Sequence, residues 1–256
     1  MKSWVVIPAR MASTRLPGNP LAAIAGKPMI VRVMQQAVQA RVDGVVAAVD
    51  QEQVFSAVTE AGFDAVMTGM HHQSGSDRVM EVVSLKGWQD EDVVINVQGD
   101  EPLIPPLVID QLVVAMQEDG NMTMATLSEP IINADDFLNP NVVKVVTDRN
   151  GDALYFSRAP IPFPRDEIAN DSVGEFSAAR HIGVYAFRVG ALREFVNLSD
   201  SRLEATEKLE QLRWLDHGWR IDVGTTTHLT PSVDTPEDLA AIEGLNSAML
   251  VSLGER

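Results

Sequence analysis

Short apolar runs alternate with segments in which apolar residues recur at helical spacing along the first half of the chain. The runs predict four strands, at Ser3–Ile7, Val45–Val49, Ala65–Thr68 and Val93–Val97. The helical spacing predicts four helices, near Met29–Ala40, Gln51–Ala61, Ser76–Ser84 and Pro106–Gln117. This alternation is typical of an α/β protein with a largely parallel sheet covered by helices.

The second half continues the alternation less regularly. Strands are predicted at Thr123–Leu127, Val142–Thr147, Ala153–Ser157, His181–Arg188 and Arg220–Val223. Helices are predicted near Val189–Val196, Arg202–His217 and Pro236–Leu250. The segment 160–176 is rich in proline and acidic residues and has little periodicity, which indicates a mobile loop. We therefore predict one domain that spans 1–256.

Composition narrows the classes of partner. The formal net charge is −16 and no block of lysine and arginine occurs, so nucleic acid and anionic membranes are disfavoured as partners. The chain has no cysteine, which excludes disulfides and thiolate metal sites and is consistent with a reducing compartment. No signal-peptide pattern and no apolar stretch of membrane-spanning length is present. We expect a cytoplasmic protein without membrane insertion.

Polar residues cluster where the first four predicted strands end. They are Arg10, Ser13, Thr14 and Arg15; Asp50; Ser74, Gly75, Asp77 and Arg78; and Gln98, Gly99, Asp100 and Glu101. Ligands of open α/β sheets bind beyond the carboxyl ends of the strands, so these residues are expected to share one crevice. Arginines in a tight loop favour phosphate, and a triphosphate fits this loop, although loop arginines are often merely solvated. Lys27 either adds a cation to this phosphate site or is a turn residue with no binding role.

Two carboxylates are candidate magnesium ligands. Asp100 follows a predicted strand and precedes a Glu-Pro pair, and Mg²⁺ commonly takes one or two protein carboxylates together with phosphate oxygens. Asp234 is the candidate second ligand. Its surroundings also have a purely structural interpretation, because Thr235 as N-cap and Pro236 at the first helical position begin a helix.

Four polar residues of the second half have competing interpretations. His181 and Tyr185 share strand parity and so lie on one face, where core packing alone would explain both. Glu210 and Gln211 lie in a predicted helix, where a solvated polar face is the simple alternative. The predicted inner face of that helix consists of Leu203, Thr206, Leu209, Leu212 and Leu215.

Seven ordered motifs give the chain a resemblance to a known family. They are IPARMASTRLPGNPL, HQSGSDR, NVQGDEPLIP, ALYFSRAPIPFPRD, RHIGVYAFR, LEQLR and SVDTPED. Together they resemble the 3-deoxy-manno-octulosonate (Kdo) cytidylyltransferase family across nearly the whole chain. The resemblance implies a nucleotide-diphospho-sugar transferase-like (Rossmann-like) three-layer fold with a mixed, mainly parallel sheet. It also implies a homodimer that uses CTP, Kdo and Mg²⁺ to make CMP-Kdo and pyrophosphate for lipopolysaccharide biosynthesis.

The resemblance also implies roles for individual residues. About 1–120 would form the CTP-binding half, and 121–256 the half for sugar binding and dimerisation. The residues expected to bind CTP are Ala9, Arg10, Ser13, Arg15, Lys27, Ser74, Gly75 and Arg78. Those expected around the sugar are Gln98, Arg158, Arg165, His181, Tyr185, Glu210 and Gln211. Asp100 and Asp234 would hold magnesium and, with Arg10 and Arg15, form the catalytic set.

One departure from the family pattern leaves alternatives open. The phosphate loop reads RLPGNP, which places Asn19 where the family usually has a lysine. Losing a hydrogen bond to a charged group costs about 1.5–3 kcal/mol, or roughly ten- to a hundredfold or somewhat more in rate or affinity. The alternatives are transfer to a related sugar acid such as 8-amino-Kdo, and a nucleotide-binding homologue with little turnover. A dinucleotide-dependent oxidoreductase is disfavoured, because no G-x-G-x-x-G follows the first strand.

Overall fold

The computed structural model describes residues 1–11, 16, 18–72, 74–165, 178–228, 232–233 and 235–244. The strands are β1 Ser3–Ala9, β2 Ala23–Ile24, β3 Lys27–Pro28, β4 Gly44–Val49, β5 Asp64–Met67, β6 Val93–Asn96, β7 Met124–Pro130, β8 Lys144–Thr147, β9 Ala153–Ser157, β10 Ala179–Arg188 and β11 Asp222–Thr225. The helices are α1 Met29–Ala37, α2 Glu52–Glu60, α3 Gly75–Lys86, α4 Pro106–Glu118, α5 Ala134–Leu138, α6 Val189–Phe195, α7 Arg202–Glu207, α8 Gln211–Asp216 and α9 Pro236–Gly244.

One mixed sheet organises the molecule. Within the described ranges it has nine strands, and its main path runs β11-β7-β10-β6-β1-β4-β5. Strands β5, β4, β1 and β6 pair in parallel, as do β7 and β11, whereas β10 is antiparallel to both of its neighbours on this path. Strands β8 and β9 extend the sheet from one end of β10. The predicted α/β fold with a mixed, mainly parallel sheet is confirmed.

Helices cover both faces of this sheet. Successive side chains of a strand point to opposite faces, so Val5 and Ile7 of β1 pack with α1, α2 and α4 while Val6 packs on the other side with α3, α6 and α8. These residues are completely buried. The predicted three-layer arrangement is thus produced by near-continuous apolar strands between two helical layers.

The predicted strands and helices of the first half are all present, with ends that differ by at most a few residues. The single helix predicted over Arg202–His217 is wrong. It divides into α7 and α8 at Lys208, which has a left-handed backbone with φ 56°. Leu209 and Leu212 are buried as expected, but α7 has no buried residue. Its Glu207 carboxylate instead accepts hydrogen bonds from the Ser157 hydroxyl at the end of β9 and from the backbone amide of Arg158. Tertiary contacts therefore override the helical pattern.

Other differences also have local causes. The strand predicted from Val142 begins at Lys144, and the carbonyls of Asn139 and Val142 just before it accept hydrogen bonds from the Lys144 ammonium instead. The short helix α5 was not predicted; the Asn133 side chain caps it by accepting a hydrogen bond from the Asp136 amide. From residue 166 onward, the predicted mobile loop lies outside the described residues. Over the described ranges, no helix combines the length and the apolar character needed to cross a membrane.

Candidate active site

Two adjoining cavities open where β1 and β6 end. The smaller, of about 90 Å³, is lined by Pro8, Arg10, His72, Ser74, Gly75, Arg78 and Gln98. The larger, of about 710 Å³, includes Gln98, Asp100, Arg158, His181, Tyr185, Glu210 and Gln211 among its lining residues. Gln98 lines both cavities, and its side-chain amide donates to the Gly183 carbonyl at 3.3 Å. Two ligands could therefore meet beside this residue.

The amino terminus of helix α3 faces the smaller cavity. Ser74 caps it: its hydroxyl accepts from the Asp77 amide at 3.1 Å, and the Asp77 carboxylate accepts from the Ser74 amide at 3.2 Å. The unpaired amide groups and the dipole of such a helix end attract anions. With Arg10 exposed beside it, this end of the cavity suits phosphate or a carbonyl-rich base.

Arg78 is anchored rather than solvated. Its guanidinium donates to the Asp50 carboxylate at 3.1 Å and to the Thr68 hydroxyl at 2.5 Å, and only 3% of its surface is exposed. The Asp50 carboxylate also accepts from the backbone amide of Met11, at the start of the arginine loop. Asp50 thus connects Arg78 to the chain that follows β1, as the shared crevice predicted.

His72 is a cavity residue to which the sequence had assigned no role. Its ring hydrogen bonds to the Glu81 carboxylate, which also accepts from the Gly69 amide at 2.8 Å. Although burial opposes the effect, these hydrogen bonds lower the pKa of Glu81. The two consecutive histidines of the HHQSGSDR segment were the available sequence signal, but nothing in the chain pattern indicated a contact with Glu81, nine positions after His72.

Gly99 allows the segment that follows β6 to approach the end of β1 closely. A Cβ atom at residue 99 would lie 2.8 Å from the Pro8 carbonyl oxygen, so glycine is required by the approach itself. The next residue, Asp100, lines the larger cavity, and its backbone carbonyl accepts from the Val233 amide at 2.8 Å. Val233, which comes shortly before α9, is therefore held beside Asp100.

His181 is held as a neutral ring. Its Nε2 lies 3.1 Å from the Thr126 hydroxyl, and the edge of Phe156 packs against the ring. Burial, with a smaller contribution from neighbouring Arg180, lowers the pKa of His181 to about 3. The imidazole is therefore a hydrogen-bonding group, not a cation, at neutral pH.

Two further polar groups of the larger cavity are buried without saturated hydrogen bonding. The Tyr185 hydroxyl and Oε1 of Glu210 lack hydrogen-bond partners among the described residues. Burial raises the pKa of Glu210 despite contacts with the hydroxyls of Ser74 and Ser76, and burial together with Glu210 raises the pKa of Tyr185. Buried polar groups are normally paired, so these two atoms leave unused hydrogen-bonding capacity in the wall of the larger cavity.

Arg158 is positioned by α7 and by a buried lysine. Its Nε donates to the Glu207 carbonyl at 2.8 Å, and its own amide donates to the Glu207 carboxylate at 3.0 Å. The ammonium of Lys144, which is fully buried, donates to the Arg158 carbonyl at 2.8 Å. Burial, reinforced by the charge of Arg158, lowers the pKa of Lys144.

Most predicted site residues lie together. Arg10, Ser74, Gly75 and Arg78 line the smaller cavity, and every predicted sugar residue except Arg165 lines the larger one. Ala9 is buried at the end of β1, while Lys27 and Arg165 are exposed and line neither cavity. Ser13, Arg15 and Asp234 lie outside the described residues. The predicted cap at Thr235 is confirmed, because its hydroxyl and the Asp238 carboxylate exchange hydrogen bonds with each other's amides.

A separate cavity of about 680 Å³ lies at the opposite edge of the sheet. Its lining includes Met124 and Asp222, which begin β7 and β11, and Arg188, which ends antiparallel β10. This is the amino-terminal edge of the parallel strands. Ligands of such sheets bind at the other edge, so this cavity is not the candidate active site.

Comparison with known proteins defines the class to which this fold and site belong. Residues 4–221 match the family model described as cytidylyltransferase. The 3-deoxy-manno-octulosonate cytidylyltransferase of Cellvibrio japonicus is 48% identical over 250 residues, which cover 96% of this chain and 98% of that protein. The protein of the same name from Vibrio vulnificus is 49% identical and covers 97% and 99%. The chain belongs to the 3-deoxy-manno-octulosonate cytidylyltransferase family.

A solved structure agrees with this assignment. It is a CMP:2-keto-3-deoxy-manno-octonic acid synthetase complexed with CTP, 40% identical to this chain, with a TM-score of 0.89. The match covers 97% of this chain and 100% of that structure. The family resemblance carried by the seven motifs is thereby confirmed.

Proposed function

We propose that this protein transfers CMP from CTP to Kdo and releases pyrophosphate. The observation that carries the proposal is the junction of the two cavities at Gln98: the smaller has arginines and a helix amino terminus for phosphates, and the larger has unsatisfied polar groups for a sugar acid. The similarity to named Kdo cytidylyltransferases over nearly the full chain supports the same substrates.

The chemistry is an in-line displacement at phosphorus. The anomeric hydroxyl of the sugar attacks the α-phosphorus of CTP, and the bond from that phosphorus to the pyrophosphate oxygen breaks. Such transfers depend mainly on positioning and charge stabilisation. Arg10 and the amino terminus of α3 would hold the triphosphate, and Arg158 and His181 would orient the sugar acid.

Magnesium dependence is part of the proposal. Asp100 supplies a hard carboxylate oxygen at the larger cavity, and Val233 and Thr235, the neighbours of Asp234 in sequence, lie beside it. One or two carboxylates suffice for Mg²⁺ when phosphates supply further ligands. Asp100 and Asp234 would hold the ion, which when bound supplies charge neutralisation and lowers the pKa of the attacking hydroxyl.

We further propose a homodimer that forms through the second half. Apolar side chains at Ile132, Leu138 and Phe163 are 82%, 55% and 69% exposed, respectively. Apolar side chains that are exposed together as one patch favour contact with another protein surface, so these three residues are the candidate contacts of the dimer. Light scattering at micromolar concentration should give twice the chain mass of 27.9 kDa, and a value near one chain mass would contradict the dimer.

Because Asn19 stands where the family usually has a lysine, the experiment must also test two alternatives to the main proposal. Asn19 is only 8% exposed and begins a short 3₁₀ turn, so it lies within the folded loop. Altered substrate choice and nucleotide binding without turnover are therefore tested alongside the main proposal.

The test is pyrophosphate release with CTP, Mg²⁺ and Kdo, run in parallel with 8-amino-Kdo and with CTP binding by calorimetry. Asn19→Lys tests the missing cation. Tyr185→Phe should raise KM for the sugar and leave KM for CTP unchanged, whereas Arg41→Gln, at a side chain that is 89% exposed, is the matched surface control.

Each outcome decides between the alternatives. Pyrophosphate release with Kdo supports the proposal. Pyrophosphate release with 8-amino-Kdo alone would show that the related sugar acid is the substrate instead. Recovery of activity only in Asn19→Lys would identify residue 19 as the defect. CTP binding without release in every reaction would overturn the enzymatic proposal in favour of a binding protein.

A further inference from the structure

The Thr126 hydroxyl lies at the centre of a buried hydrogen-bond cluster beneath the larger cavity. Its Oγ1 is 2.8 Å from the Val184 carbonyl, 3.0 Å from the Ile182 carbonyl and 3.1 Å from Nε2 of His181. Thr126 is completely buried and belongs to β7, which pairs with β10 across an irregularity between Ile182 and Tyr185. That irregularity brings both carbonyls to the same hydroxyl.

The proton count of this cluster fixes the orientation of each bond. A hydroxyl has one proton, and carbonyl oxygens only accept, so the Thr126 proton points to the carbonyls. If the proton pointed to His181 instead, two carbonyl oxygens would lie within 3.0 Å of the hydroxyl oxygen with no proton between them. The hydroxyl must therefore accept from His181, which requires a proton on Nε2.

This assignment leaves Nδ1 of His181 as an acceptor. Among the described residues no hydrogen-bond partner of Nδ1 is seen, and His181 lines the larger cavity. Burial keeps the ring uncharged at neutral pH, as its lowered pKa indicates. A neutral acceptor nitrogen in this cavity recognises a hydroxyl donor and offers nothing to a carboxylate.

We propose that Thr126 is a positioning residue that holds neutral His181 in the Nε2–H tautomer, so that Nδ1 accepts a hydrogen bond from a hydroxyl of the sugar acid. The recognition step rests on the proposed function, whereas the tautomer does not. Thr126 itself acts through His181 and through the two carbonyls that it satisfies.

The first measurement is the ¹⁵N NMR spectrum of the histidine side chains without substrate, with the His181 signals assigned by their loss in His181→Gln. We expect an Nε2–H pattern in the wild-type protein and in Thr126→Ser, which keeps the hydroxyl. In Thr126→Val, which keeps the shape but not the hydroxyl, we expect the pattern to become a mixture of tautomers. An Nδ1–H pattern in the wild-type protein would overturn the proposal whatever the variants do.

The second measurement is steady-state kinetics. Thr126→Val should raise KM for the sugar acid about three- to tenfold, the loss expected for one hydrogen bond, with KM for CTP unchanged and rescue in Thr126→Ser. Ser128→Ala is the control, since Ser128 lies on the same face of β7 and its hydroxyl bonds to Gly224 instead. Equal effects of Thr126→Val and Ser128→Ala on KM would contradict the proposal. Inactive wild-type protein with an Nε2–H spectrum would refute the proposed function and leave the tautomer established.

Discussion

The buried ion pair between Arg78 and Asp50 gives the sharpest prediction about stability. We consider Asp50→Asn, which removes the charge but keeps an oxygen that can accept from the Met11 amide. The side chains of the pair are only 3% and 9% exposed, so the variant leaves a guanidinium buried without its counter-ion. Removing one partner of a buried pair costs about 3–5 kcal/mol, mostly because the remaining charge is uncompensated.

A second ion pair supplies the matched control. Lys86 and Asp64 are closer, at 2.7 Å against 3.1 Å, but their side chains are 32% and 52% exposed. Water screens such a pair, and exposed pairs contribute about 0–1 kcal/mol. If burial rather than the distance between the charges determines how much an ion pair contributes to stability, Lys86→Met should lower the free energy of unfolding by less than about 1 kcal/mol.

The coupling energy between Asp50 and Arg78 is measured by urea denaturation. The proteins compared are Asp50→Asn, Arg78→Met and the double variant that carries both changes. We expect the double variant to be more stable than Asp50→Asn alone, because the unpaired charge is gone and an apolar side chain occupies its place. A loss under 1 kcal/mol for Asp50→Asn, or additive effects in the double variant, would refute the assignment of Arg78 as a buried, compensated cation.

Three further predictions concern other parts of the site. Because the pKa of His181 is lowered to about 3 in the folded protein, the unfolded chain binds this proton first as the pH drops, and the contribution of His181 to stability is lost between about pH 6.5 and 3. Over this range the free energy of unfolding of the wild-type protein should fall more steeply than that of His181→Gln, by up to about 1.4 kcal/mol per pH unit. Equal slopes would contradict the neutral ring. Gly99→Ala should destabilise by about 1–3 kcal/mol in urea and reduce kcat, since the new methyl group meets the Pro8 carbonyl, whereas Gly120→Ala, where nothing lies within 4 Å, should be nearly neutral. Lys144→Met should cost about 3 kcal/mol or more and raise KM for the sugar acid, because it leaves three carbonyls without their donor; a change in stability with no change in KM would show that the lysine does not help to position Arg158.

The sequence predicted the parallel first half well because its signals are local. Strands such as Val93–Asn96 are buried on both faces and therefore read as uninterrupted apolar runs, and α3 begins at a Ser-x-x-Asp box that is visible in the chain. The residues that follow these strands are brought together by topology alone. Their convergence in one crevice could be inferred before any contact was known.

What the sequence could not supply were pairings between distant residues. Glu207 lies about fifty positions from Arg158, and its carboxylate diverts α7 from the helical pattern that the leucines continue into α8. Thr126 falls within the predicted strand Thr123–Leu127, and nothing in its neighbourhood signals a bond to a histidine 55 positions later. Such contacts depend on which strands become neighbours, and β10 enters the sheet between β6 and β7 from far along the chain.

The insertion of antiparallel β10 also explains how one sheet edge forms two adjoining cavities of different chemistry. The carboxyl ends of β1 and β6 present backbone amides and arginines, as parallel strands beside a helix amino terminus do, and this arrangement suits phosphates. Since β10 runs the other way, it brings the beginning of a strand to the same edge, and His181 and Tyr185 arrive there on one face. Gln98 stands between the two environments and bonds to Gly183 of β10. Displacement of β10 at this point should therefore disturb the larger cavity first, while the amino terminus of α3 keeps its own cap.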